Sequence, residues 1–393
     1  MKLLVYKWSA FALEDVIYQF KKLNIDYDVF TYDFDREGHS KHYDEEFLKY
    51  FRNNIDVSKY DAIFSIAYWA VLSDAANMSR IKYISWSYDC PLDTQDPLRT
   101  FNNECNYIFL FDRKQVDKYK GEGITTVYHL PLGINADRYK NISPNSVNCE
   151  KYRTDVSFVG NLYTGNTAGL KSLVSERSAN IIQGIVDTQK KLQDRYILDQ
   201  LVTQQFIDAL NMEVEALHPG IVGNYSRDGF ENTLAYDVTN YNRLILLMLC
   251  AKRFKTDLYT ENQVDDIDGL NVHGRVSYYD EMPWIFAASK VNINSSFISI
   301  QSGIPLRAMD ILASGGLLVS NRQPEFEDFF IEDEEVVLYT GFDEVIDKIS
   351  YYLANEEKRA MIALKGRKAV FEKCNMADRI KEMFNIAFEN INK

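Results

Sequence analysis

The stretch from Val291 to Asn321, VNINSSFISIQSGIPLRAMDILASGGLLVSN, gathers residue types that hold an anion. Val291 to Ser295 alternates as a strand, and Ser302 with Gly303 makes a polar, flexible turn. Pro305 suits the first position of a helix, where its missing N–H is no loss. A helix from Pro305 to about Ser314 aims its first-turn amides into that turn, and the bare backbone of Gly303 lets an anion come close to them. Arg307 adds a full positive charge at the same end. Gly315 and Gly316 stop the helix and Leu317 to Ser320 returns as a strand, completing a β-turn-α-β unit of a parallel sheet. The chemistry of such a mount is the grip of a phosphate or diphosphate. As an exposed pair one helical turn apart, Arg307 and Asp310 would instead contribute only roughly 0.2–0.5 kcal/mol.

Other reactive patterns are sparse. The sequence holds no G-x-G-x-x-G, Walker A, H-E-x-x-H or G-x-S-x-G, the usual marks of dehydrogenases, NTPases, zinc peptidases and hydrolases. Asp33-Phe-Asp35 and Asp265-Asp-Ile-Asp268 offer hard oxygens to a divalent cation. Short acidic runs are common in a chain of net charge −13, however, and the anion mount serves a phosphorylated ligand without a metal, so no metal site is expected. The same acidity would repel a polynucleotide, and nucleic acid is not expected as a partner. The five cysteines are scattered, without a C-x-x-C pair, and read as reduced, mostly buried thiols.

These residues need elements that bring strand ends together. At 393 residues and 46% hydrophobic composition, the chain has enough apolar content for two cores. Strand patterns fall at Lys2 to Tyr6, Tyr27 to Tyr32, Ala62 to Ile66, Lys82 to Ser87, Tyr107 to Phe111 and Thr126 to Leu130. Phe11 to Leu23 and Asp44 to Asn53 have helical spacing between them, the pattern of a parallel sheet with crossover helices. Ligands of such sheets lie beyond the carboxyl ends of the strands, which draws attention to Trp8, Asp33, Tyr88, Asp89 and Asp112. A polar linker follows, ending at Asn148. A second series has strands at Asp155 to Val159, Thr256 to Thr260, Leu270 to His273, Lys290 to Asn294, Leu317 to Ser320 and Val336 to Tyr339. It is interrupted by a helical insertion at about 164–241. The domains expected are therefore 1–148, 149–375 and a C-terminal helix, 376–393, packing across both. The longest apolar run, Leu244 to Ala251, is too short to span a bilayer, and the N-terminus lacks a signal-peptide pattern. A cytoplasmic protein is expected, with any membrane contact peripheral.

Pro131-Leu-Gly-Ile-Asn135, Phe158-Val-Gly-Asn161 and Gly303-x-Pro-x-Arg-x-x-Asp310-x-x-Ala-x-Gly-Gly316 together resemble the GT-B glycosyltransferases. Within them the chain is most similar to the CgeB-like family, which has motifs like GIPLRAMDILASGGLLVSN and Ser87-Tyr-Asp-Cys-Pro91. The resemblance implies an α/β fold of two Rossmann-like, doubly wound domains facing a cleft. It also implies metal-independent transfer of a hexose from a nucleotide-sugar, a UDP-sugar first and a GDP-sugar second, to a hydroxyl of a glycan, protein or other acceptor. No further cofactor is implied.

Carried over by position, Asp310 takes the ribose hydroxyls of the donor, and Ser302, Gly303, Ile304, Pro305 and Arg307 line its diphosphate. Gly160 and Asn161 flank the donor, Arg243 is a second cation, and Tyr278 stacks near the base. Asp89 is the expected catalytic carboxylate beside Arg307: a general base if the reaction inverts, a ligand of sugar hydroxyls if it retains. His129 is the alternative base, though a histidine in an apolar strand is commonly structural. The wider retaining families carry a glutamate eight residues before the one matched by Asp310. Ser302 stands there, which leaves the stereochemistry open. The alternatives are a nucleotide-sugar epimerase of the same fold and a non-catalytic binding subunit.

Overall fold

The computed structural model describes residues 1–92, 97–164, 167–193, 195–221 and 223–389. Twelve strands form two six-stranded sheets, parallel at every pairing. The first contains β1 (Lys2–Tyr6), β2 (Asp26–Phe30), β3 (Ala62–Ile66), β4 (Lys82–Ser87), β5 (Asn106–Leu110) and β6 (Val127–His129) in the order β2-β1-β3-β4-β5-β6. The second contains β7 (Val156–Val159), β8 (Thr256–Tyr259), β9 (Leu270–His273), β10 (Val291–Asn294), β11 (Leu318–Asn321) and β12 (Val337–Tyr339) in the order β12-β11-β10-β7-β8-β9. Every expected strand is present, its ends shifted by at most a residue or two. Central strands such as AIFSI in β3 are buried along their whole length, as a sheet covered by helices on both faces requires.

The chain divides into two compact units. Unit 1 comprises Met1–Arg138, Ser302–Leu306 and Lys373–Lys393; unit 2 comprises Tyr139–Gln301 and Arg307–Glu372. The chain thus first passes into unit 2 at Tyr139, ahead of the polar stretch expected to be the linker. In unit 1 the core sits around Phe47, Ile63, Tyr83 and Ile108. The C-terminal helix Met376–Phe384 belongs to this unit: Ile134 and Asn375 form a parallel bridge, and the rings of Phe20 and Phe384 lie 6.0 Å apart. Positions 390–393 of the expected C-terminal helix lie outside the described residues. Among the described residues no helix is long and apolar enough to cross a membrane.

In unit 2 the core gathers Val156, Phe158, Leu246, Leu258, Ile293 and Val319. The described residues between β7 and β8 are largely helical, residues 165, 166, 194 and 222 of the expected insertion lying outside them, and the helix Arg227–Ala251 runs for 25 residues and carries Arg243 into the sheet's neighbourhood. Ser226 caps its start by accepting from the Gly229 amide at 3.1 Å, and Thr239 halfway along accepts from the Ile298 amide at 3.1 Å. The strand order of this sheet reverses between β7 and β10. The loops that leave those two strands therefore flank the place where ligands of open parallel sheets bind.

Candidate functional site

In unit 2, β7 ends at Val159 and the chain turns through Gly160, whose amide donates to the Tyr259 carbonyl at 2.9 Å. Asn161 follows, with its side-chain oxygen accepting from the Tyr163 amide at 2.5 Å, and Tyr163 takes a left-handed φ of 58°. Arg243 reaches this turn from the long helix. Its Nε and Nη2 donate to the Ser295 carbonyl at 3.0 and 2.7 Å, and its Nη1 donates to the Asn161 carbonyl. The guanidinium thereby ties the end of β7 to the end of β10 across the switch point, 4.8 Å over the Tyr163 ring. Burial pulls its pKa below the ordinary arginine value.

Arg307 approaches the same turn from the helix Leu306–Ala313, which starts one residue after the expected Pro305. Its Nη1 would lie 3.0 Å from a β-carbon at position 160, so the glycine is what admits it. That nitrogen is buried and has no hydrogen-bond partner among the described residues. Burial and then the nearby Arg243 charge lower the Arg307 pKa, while Asp310 pulls the other way. Asp310, one turn along the same helix, is buried rather than paired on an exposed surface. The hydroxyl of Tyr139 donates to its Oδ1 at 2.6 Å and that of Tyr278 at 3.3 Å. Gly160, Asn161, Arg243, Tyr278, Arg307 and Asp310 are thus drawn into one neighbourhood: two cations, a buried carboxylate and aromatic walls.

Ser302, Gly303, Ile304 and Pro305 fall in unit 1 instead. Asp112, at the end of β5, caps the helix Arg113–Gly121 by accepting from the Gln115 amide at 2.9 Å. Its Oδ2 accepts from the amides of Ser302 at 2.8 Å and Gly303 at 3.0 Å, and the Ser302 hydroxyl lies 3.2 Å from its Oδ1. The Asp112 carboxyl thus occupies the amides of the turn that precedes the helix. The bare backbone of Gly303 has a second cause. A β-carbon there would lie 2.7 Å from the Phe111 carbonyl oxygen and ring, so the space expected for an incoming phosphate is filled by Phe111. Ile304 is buried, and Pro305 is half-buried just before the helix.

Asp89 is exposed after β4. The Ser87 hydroxyl brackets its backbone, accepting from its amide at 3.1 Å and donating to its carbonyl at 3.4 Å, just before the cis Cys90–Pro91 bond. His129 ends β6 and is half-buried. Asp33 accepts from the Asp35 amide at 3.1 Å, a local turn.

Residues 243–385 match the sequence profile of a family described as glycosyl transferase-like. This part of the chain is similar to glycosyl transferase-like domains. The match begins at Arg243 and takes in Tyr278, Arg307 and Asp310. No curated protein matches the chain in sequence. Among solved structures, a glycosyltransferase from Rickettsia africae is similar over 100% of this chain and 99% of its own, at 12% identity and a TM-score of 0.54. HepE of Anabaena, solved with UDP-glucose, is similar over 98% and 99%, at 11% identity and 0.55. BGT of phage T4, also with UDP-glucose, is similar over 99% and 100%, at 8% identity and 0.55. These likenesses establish the fold as GT-B, with two Rossmann-like domains.

Sequence reasoning missed Tyr139 as a partner of Asp310 and Asp112 as the partner of Ser302 and Gly303. Asp112 carried a signal, being a polar residue at a strand end. Tyr139 carried none, as one of 26 tyrosines and 171 residues from Asp310.

Proposed function

We propose that this protein is a hexosyltransferase that takes a nucleoside diphosphate sugar, a UDP-sugar first and a GDP-sugar second, as its donor. The sugar's bond to the diphosphate breaks, a bond to an acceptor hydroxyl oxygen forms, and the hydroxyl proton passes to a base. The acceptor is a glycan, a protein or another hydroxyl compound. Asp89, in unit 1, is our candidate for the base if the reaction inverts and for a ligand of sugar hydroxyls if it retains. The likeness of GIPLRAMDILASGG and Ser87–Pro91 to the CgeB-like family belongs to the same proposal. So does a cytoplasmic setting, which the scattered cysteines, without a C-x-x-C pair, suit. Nothing in the matches favours the epimerase or the non-catalytic alternative.

The observation that carries the proposal is the Arg307 Nη1: a buried donor without an acceptor among the described residues, next to a buried second guanidinium, at the switch point of a parallel sheet. Two like charges held together out of water are costly without an anion, and a diphosphate supplies two negative charges at that spot. As the sugar departs, charge grows on the diphosphate, and fixed guanidinium donors stabilise it without a metal. Asp310 is then set to accept ribose hydroxyls, and Tyr278 to border the nucleoside.

A thermal-shift screen over UDP-, GDP-, dTDP- and CMP-sugars tests this. A donor present at 100 times its Kd stabilises the fold by about 2.7 kcal/mol. We expect a clear rise in melting temperature with a UDP- or GDP-sugar, undiminished by EDTA and abolished in Arg307→Ala. No rise with any donor would count decisively against the proposal, and a rise that needs a divalent ion would remove its metal-independence.

A further inference from the structure

Asp310 is held more firmly than a ligand carboxylate on a helix surface needs to be. Two tyrosine hydroxyls converge on its Oδ1, from Tyr139 at 2.6 Å and from Tyr278 at 3.3 Å. The Tyr139 side chain is itself immobilised, only 1% exposed at the end of the short helix Ala136–Tyr139. Its backbone is clamped from the helix Glu356–Lys373, where Arg367 donates through Nη2 to the Tyr139 carbonyl at 2.7 Å and through Nη1 to the Ile142 carbonyl at 2.9 Å. An arginine that bridges two carbonyls in this way fixes a turn in both position and direction.

We propose that Tyr139 is a positioning residue that sets the preference of the site for a ribonucleoside diphosphate over one lacking the ribose hydroxyls. The inference rests on the proposed donor reading and assigns a role in it to a residue outside every motif. The physical argument is one of aim. A carboxylate bonded at short range to a fixed phenol cannot rotate freely. An oriented carboxylate rewards a ligand that brings hydroxyl donors along the direction in which it is held. Tyr278 bonds the same oxygen at longer range and from a half-buried position, so of the two tyrosines Tyr139 provides the firmer hold.

The test is titration calorimetry of the whole protein with UDP and 2′,3′-dideoxy-UDP, and in parallel with GDP and 2′,3′-dideoxy-GDP. The wild type should prefer the hydroxylated member of the pair it binds by at least about tenfold. In Tyr139→Phe the affinity for that member should fall about tenfold while the dideoxy affinity stays, collapsing the preference. Arg367→Lys, which loosens the clamp without touching Asp310, should reduce the preference in the same direction by a smaller factor. In Asp310→Asn, adding Tyr139→Phe should cost nothing further. Equal weakening of both members, or an unchanged preference in both Tyr139→Phe and Arg367→Lys, would overturn the assignment and leave the donor site intact. A wild type that binds none of the four nucleotides would instead overturn the donor reading itself, and this inference with it.

Discussion

Arg243 commits three N–H groups to the carbonyls of Asn161 and Ser295, whereas Arg307 brings a buried Nη1 to the same turn with no acceptor among the described residues. One guanidinium is a brace and the other has its donor unmatched, and their removal should differ accordingly. Arg243→Ala leaves two carbonyls without their donor and should lower the unfolding free energy by about 2 kcal/mol. Arg307→Ala removes a desolvated charge beside a like charge and should leave the ligand-free protein as stable, or more stable by up to about 1 kcal/mol. Urea unfolding of the two variants, with no nucleotide present, reads the difference directly. If Arg307→Ala proved as damaging as Arg243→Ala, Arg307 would be a second brace and the main support for the donor site would be gone.

At the scale of elements, the turn before the helix Leu306–Ala313 is governed by Phe111 and Asp112. A β-carbon at 303 would meet the Phe111 carbonyl oxygen at 2.7 Å, and backbone cannot step aside as a long side chain can. Gly303→Ala should therefore lose about 1–3 kcal/mol. Gly169, in the helix Ala168–Ser172 with nothing within 4 Å of its added β-carbon, makes the control: alanine there should be neutral or gain up to about 1 kcal/mol. Thermal melts of the pair would show whether the 303 position is limited by packing, as the structure has it, or by conformation alone. The strands themselves were readable because buried parallel strands write themselves as apolar runs, such as KLLVY in β1 and KYISWS in β4. Even β2, an edge strand with the exposed pattern of DYDVF, kept enough β-branched and aromatic character. The neighbours of the site residues were less readable. Residues 160, 243, 278, 307 and 310 carried their types, and Gly160 and Arg307 also their places at a strand end and a helix start. The carboxylate on the Ser302 amide, in contrast, stands 190 residues away, and no local pattern encodes such a meeting.

The whole molecule departs from a simple succession of two domains. The Ile134 amide donates to the Cys374 carbonyl at 2.8 Å and the Met376 amide to the Ile134 carbonyl at 3.0 Å, so the end of unit 1's own sheet region is completed by residues that follow all of unit 2 in the chain. Gly133 makes the approach close, since a β-carbon there would be 2.9 Å from the Met376 Cα. Ending the chain after Glu372 should therefore raise hydrogen exchange throughout β1 to β6 while β7 to β12 keep their protection. Equal loss in both sheets would mean that the units do not hold their stability separately. The same bridge sets an order of events during synthesis. Ile134 leaves the ribosome long before Met376, by roughly tens of seconds at 5–20 residues per second. Throughout that interval the face of the helix Leu13–Lys22 that carries Phe20 waits for Phe384. A nascent chain of this protein cannot complete unit 1 before unit 2, and that apolar face stays uncovered until the helix Met376–Phe384 emerges.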